Sequence, residues 1–231
     1  MKMHAERLRR PEEACKPDTR SKFWVVMTAN GQRERRLEDQ YLAIAPITLH
    51  EQVPEDIRIQ FETTKNLYLY SWFVYRFYPV AHHHSLTCLE LALRSRFEGQ
   101  LDSTTQQGRR RCRPTLRTWL KYAIDNGYLK NEMFEAWRTA TEQRAKERSI
   151  MEAISNMEEL GIDEIAVDEA DVTITDADGD HDYLLRLLEG LPALRNHYAH
   201  GSTTLHNQVL GSIRVVAEII NNIFPASLAE D

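Results

Sequence analysis

The chain has 231 residues, 42% of them hydrophobic, which is enough to bury the core of one large domain. It holds no run of about 20 apolar residues, so no membrane-spanning helix is expected. The formal net charge of −6 speaks against a polyanionic partner, but the charge is segregated.

No Lys or Arg lies between Ser149 and Leu185, and 12 of the 35 acidic residues do, so the rest of the chain carries 29 basic residues against 23 acidic. A basic surface outside that stretch is therefore available. The cysteines Cys15, Cys88 and Cys112 are widely spaced and show neither zinc-ligand spacing nor a disulfide framework. The opening "MKMHAERLRRPEEACKPDTRSK" is charged throughout and lacks the apolar centre of a secretory signal. A reduced, cytoplasmic protein is the expectation.

Residues 1 to 22 read as a loose basic arm. "KFWVVM" reads as a short strand or a buried apolar patch, and "GQRERRLEDQYLAIAP" as a short helix ended by Pro46. From Pro54, a proline and two acids open a helix in which Ile57, Phe61, Leu67, Tyr68, Trp72 and Tyr75 recur at helical spacing, up to Pro79. A second helix is predicted over 85–97, capped by Ser85 and striped by Leu86, Leu89, Leu93 and Phe97. A third covers 115–129 and breaks at Asn126-Gly127. A long charged helix covers 131–160.

The acidic stretch that follows has no clear period, with one short strand at "VTIT". Its Asp and Gly spacing misses the calcium-loop pattern, and Asp180 or Asp182 serves better as the cap of the next helix. That helix runs from Tyr183 to His200, bent or interrupted at Pro192 and stopped by Gly201. The last, 205–224, puts Val209, Ile213, Val216, Ile220 and Ile223 on one face.

The end of the penultimate helix, "LRNHYAHG", is the candidate for chemistry. Arg195 and His200 are five positions apart, about 140° around an ideal helix, whereas Asn196 and His200 share a face. A guanidinium grips a phosphate bidentately, and an imidazole exchanges a proton near neutrality. Together they suffice to cleave a phosphodiester without a metal when the substrate brings its own nucleophile, as RNA does with its 2′-OH. The bland alternative is Arg195 paired with Glu189 or an insertion acid, and His200 set against the helix dipole. His197 either lines the site or faces solvent, and Tyr198 reads as a packing residue.

"RNHYAH" resembles the R-x4-6-H motif of the HEPN superfamily (higher eukaryotes and prokaryotes nucleotide-binding domains). The helix pair from Pro54 to Phe97, with Leu89, Glu90, Leu93 and Arg94, resembles that family's opening pair, and "LRTWLKYAIDNGYL" its next short helix. The likeness spans Pro54 to Phe224, with about 131–182 as an insertion. It implies an all-α fold, an HEPN-like antiparallel bundle with an acidic helical or irregular insertion, in a domain taken as 46–231; a basic arm with short elements over 1–45 precedes it.

The resemblance also implies a metal-independent endoribonuclease of toxin or phage-defence type, with RNA as partner, no cofactor and no metal. Two chains would pair so that both motifs face one cleft, and a cognate antitoxin protein is the partner expected in a toxin setting. Carried over, Arg195 holds the phosphate, Asn196 orients, and His200 is the general acid or base. Some family toxins carry a modifiable Tyr two places after the His; here that place is Ser202. Other members are non-catalytic nucleotide- or protein-binding modules.

Two further clusters stand out. Arg109, Arg110, Arg111 and Arg113 form either a solvated loop or, continued by Arg117 and Lys121, a phosphate-tracking RNA-binding patch. His82, His83 and His84 read as a solvated turn between helices; the alternative is a metal site shared with His197 or His206, and with it a metal-dependent enzyme.

Overall fold

The apolar residues of "SLTCLELALRSRF" recur every three or four positions, and the helix they define is the centre of the molecule. In the computed structural model, which describes residues 6–29, 31–100, 113–162, 164 and 172–226, the fold is mainly helical. A hairpin of β1 (Val25–Thr28) and β2 (Gly31–Glu34) precedes α1 (Leu37–Ile44), α2 (Glu55–Tyr70), α3 (Phe77–Phe97), α4 (Leu116–Asp125), α5 (Glu135–Leu160), α6 (Tyr183–Ala199) and α7 (Leu210–Ile223).

Helix α3 packs against α2, α4, α6 and α7. Its Leu86, Leu89, Leu93 and Phe97 are fully buried, and truncating one such leucine to alanine costs about 2–5 kcal/mol. Thr64 of α2 meets His84, while the Ile57 carbonyl accepts from Cys88 Sγ, so α2 and α3 run antiparallel. At the far end of α3 the Arg96 guanidinium donates to the Ile223 carbonyl of α7, at 3.0 Å. Helix α7 buries the face expected of it. It begins at Leu210 rather than 205, because residues 201–209 form a connector held by side-chain bonds of its own.

Several expectations are corrected. Helix α2 stops at Tyr70, and α3 starts eight residues before the predicted Ser85, at Phe77. Pro79 occupies the first turn of α3, where a missing N–H costs no helical bond, so the proline that was to end one helix opens the next. His82, His83 and His84 are therefore helical and not a solvated turn; His82 is buried. Residues 31–34 are strand rather than helix, paired antiparallel with β1 from Thr28↔Gly31 to Val25↔Glu34. Asp39 then starts α1 by accepting from the Arg36 N–H at 2.8 Å and holding Arg33.

The basic arm is docked at the α2–α3 junction. Buried Asp18 donates its N–H to the Trp72 carbonyl, and the Arg20 guanidinium bridges Asp18 and Glu6 and lies over the Tyr75 ring at 4.7 Å. Ile44 of α1 belongs to the same core as α3.

Residues 172–175 form no strand: the N–H and hydroxyl of Thr175 are taken by Asp178. Asp178 also pairs with Arg148 of α5 at 3.0 Å, and Trp137 stacks on His181 and donates to its carbonyl. Asp182 caps α6 through the Leu185 N–H, as the sequence suggested. Helix α6 continues through Pro192. The Leu188 carbonyl, deprived of its helical donor there, has Arg117 Nη1 at 3.5 Å instead.

Candidate functional site

The site is built where α3 and α6 cross antiparallel. Glu90 and Arg94 are one turn apart on α3, and Arg195 on α6 reaches across to Glu90. Arg195 Nε donates to Glu90 Oε2 at 3.1 Å, with both side chains part-exposed. The pair stands at the border of two cavities that share Glu90, Arg94 and Arg195.

The larger, of about 890 Å³, opens between α3, α4 and α6. Four guanidinium groups line it, those of Arg94, Arg113, Arg117 and Arg195, against the carboxylates of Glu90, Glu98 and Glu189. Asn196 is also on its wall. The smaller, of about 380 Å³, lies on the α2 side beside Gln60, Thr87 and Cys88. Burial pushes the Cys88 thiol up to about 12, so that sulfur is not a thiolate nucleophile near neutrality.

One turn beyond Arg195, the Tyr198 hydroxyl sits between two imidazoles: His82 Nδ1 at 3.1 Å and His206 Nε2 at 2.8 Å. The rings of His82 and Tyr198 meet edge-on at 5.2 Å. Burial lowers His82 to about 4, helped by the neighbouring His206 and His83, so this imidazole is neutral at pH 7. Burial raises the Tyr198 hydroxyl, which stays protonated. Its single proton leaves it one donated bond, so at least one of the two imidazoles donates to it. Tyr198 thereby ties the end of α6 both to α3 and to the connector; it is more than a packing residue.

Helix α6 ends with His200 at its C-cap, its N–H given to the Asn196 carbonyl, and Gly201 turns the chain at φ 84°. Asn196 and His200 are exposed, and His200 is not on the cavity wall. His197 is exposed and its Nε2 is bonded to Ser202 Oγ at 2.6 Å. Of the arginine run, Arg113 lines the larger cavity, while Arg109, Arg110 and Arg111 lie outside the described residues. The acid that Arg195 takes is Glu90, not Glu189 or an acid of the insertion.

Arg94, Arg117, His82 and His206 were not singled out for this site by the sequence. The first two carry a weak signal, a basic residue at helical spacing from Glu90 or just after the arginine run; the histidines, 124 positions apart, were paired by the sequence only as alternative metal ligands and not through Tyr198. Among the described residues no three His, Cys, Asp or Glu side chains converge as a metal-ligand set. No described helix is long and apolar enough to cross a membrane. Comparison with known proteins finds no matching family model and no similar curated protein or solved structure.

Proposed function

We propose that this chain is a metal-independent endoribonuclease of the HEPN type, cleaving RNA by attack of a 2′-OH on the adjacent phosphate. The observation that carries it is the placing of Arg195: its guanidinium is fixed by Glu90 at the edge of an arginine-lined cavity, one and a half turns from an exposed imidazole at the end of the same helix. The terminal amines of Arg195 are left to grip a phosphate, because only Nε is engaged by Glu90. Asn196 stands on the cavity wall to orient the strand, and His200 exchanges the proton.

The exposure of Asn196 and His200 leaves this end of α6 open to a second chain. A two-fold pair built on residues 183–224 would bring two such ends to one cleft, and two-fold closure is the commonest symmetry of oligomers. Incubation of the purified protein with total RNA in EDTA tests the activity. Cut products should carry a cyclic 2′,3′-phosphate and a free 5′-OH, and the protein should scatter light as a dimer. Products with 5′-phosphates, or loss of cutting on chelation, would refute the mechanism.

A second reading is a non-catalytic nucleotide- or protein-binding module. The three carboxylates on the cavity wall favour it, since one of them already neutralises Arg195. It predicts ligand binding with no cut RNA.

A further inference from the structure

Transfer of a phosphodiester from O5′ to O2′ needs two proton movements. A base removes the 2′-OH proton as O2′ bonds to phosphorus, and an acid gives a proton to O5′ as the P–O5′ bond breaks. The motif supplies one imidazole. Six imidazoles are carried by α3, the end of α6 and the connector after it: His82, His83, His84, His197, His200 and His206. Four are spoken for, His82 and His206 by the Tyr198 hydroxyl, His84 by the Thr64 hydroxyl and His197 by the Ser202 hydroxyl. Among the described residues, His83 and His200 have no hydrogen-bond partner on either ring nitrogen.

His83 stands one turn before Thr87, which lines the smaller cavity. On α3 the residues His83, Thr87, Glu90 and Arg94 follow at steps of four, three and four, so they share the face on which Glu90 holds Arg195. Arg195 and Tyr198 follow at a step of three on α6, and the Tyr198 ring stands 6.2 Å from the His83 ring. His83 therefore lies on the same α3–α6 seam as the Arg195–Glu90 pair, in the same chain. It is half-buried, where His82 beside it is closed off.

Resting on the RNA-cleavage reading above, we propose that His83 is a further catalytic residue, the general base that takes the 2′-OH proton, with His200 as the acid that protonates O5′. The division of roles follows from the surroundings. His83 is faced by Arg195 and Tyr198 from α6, by His206 through Tyr198 from the connector, and by His82 and His84 along α3. Burial and the Arg195 charge hold it below the usual imidazole range, so it is neutral at pH 7 and ready to accept. The products are the cyclic 2′,3′-phosphate and the free 5′-OH, with one proton gained by His83 and one lost by His200.

The test compares His83→Gln and His200→Ala with the parent on two substrates: an RNA oligonucleotide, and a nucleoside 3′-phosphodiester of 4-nitrophenol, whose leaving group needs no acid. Binding of a 2′-deoxy oligonucleotide and circular dichroism report the site and the fold. His83→Gln should bind as the parent does, lose roughly 10²-fold or more in rate on both substrates, and lose the acid limb of the pH–rate profile. His200→Ala should lose the RNA reaction but recover on the nitrophenyl ester. If His83→Gln cleaves RNA at the parent rate with the parent pH profile while His200→Ala does not, His83 is not the base and the RNA-cleavage reading survives alone. If the parent cuts neither substrate, that reading falls and this inference with it.

Discussion

Arg195 donates through Nε to Glu90 at 3.1 Å, joining two helices whose residues stand 105 positions apart in the chain. The bond holds the guanidinium against α3 through Nε and leaves the terminal amines without a hydrogen-bond partner among the described residues, at the border of both cavities. Arg195→Ala should abolish RNA cleavage, and Arg195→Lys should restore little, since an ammonium cannot fork a phosphate. Stability should hardly move: the two side chains are 36% and 25% exposed, so the pair is worth under about 1 kcal/mol after screening. Urea unfolding beside a cleavage assay separates the two effects. Arg195→Ala that cuts RNA at the parent rate would remove Arg195 from the mechanism.

His200 caps α6 in the open, and its truncation should be quiet for the fold as well. His200→Ala is expected to cost roughly 10²–10⁴ in rate, and Asn196→Ala less. Single-turnover cleavage measures both. An Asn196 variant slower than the His200 variant would reverse the assigned roles.

Tyr198→Phe should cost more stability than either motif substitution. It strips the hydroxyl shared by His82 and His206 and leaves the buried His82 ring without a partner on either nitrogen, among the described residues. An unmet buried polar group costs about 1–3 kcal/mol. The urea midpoint should fall with an unchanged slope; an unmoved midpoint would show that the Tyr198 bonds add nothing.

His82 also sets a pH dependence. Its folded value of about 4 lies below the ordinary 6.5, so the unfolded chain binds the extra proton between the two. The stability it lends is complete above pH 6.5 and is lost progressively as the pH falls toward 4, by roughly 3 kcal/mol at most. His83, His84 and His181 are lowered too and act in the same direction. Denaturation at pH 7 and pH 4.5 should show a smaller loss in His82→Gln than in the parent. Equal losses would place the acid sensitivity elsewhere.

Asp178 and Gly179 lock the 172–181 segment onto α5. The Arg148 guanidinium and the Thr175 N–H hold the Asp178 carboxylate well below the usual range, and a Cβ on Gly179 would meet the Trp137 ring at 3.1 Å. Asp178→Asn and Gly179→Ala should both speed proteolytic nicking within residues 172–181 without changing helix content. Cutting at the parent rate in both variants would rule out this lock.

Much of the fold was legible along the chain. The stripes of α2, of the second half of α3 and of α7 follow from burial of one face at the helical period, and Asp182 and Gly201 announce the two ends of α6. These signals are local, because a helix is closed by bonds four residues apart. The composition of "LRNHYAHG" also belongs to the sequence: it says which groups are present at the end of α6. What they face is another matter. The choice of Glu90 over Glu189 for Arg195, the burial of His82, the bridge through Tyr198 to His206 and the gathering of Arg94, Arg113 and Arg117 around one cavity all join residues on different elements. The histidine run read as a turn because three consecutive imidazoles look solvated until Pro79 is seen to open a helix, whose turns send His82 into the core and leave His83 and His84 half-exposed beside it. A helix fixes the direction of its side chains, but what each one meets depends on the elements packed against it, and only the tertiary structure supplies those.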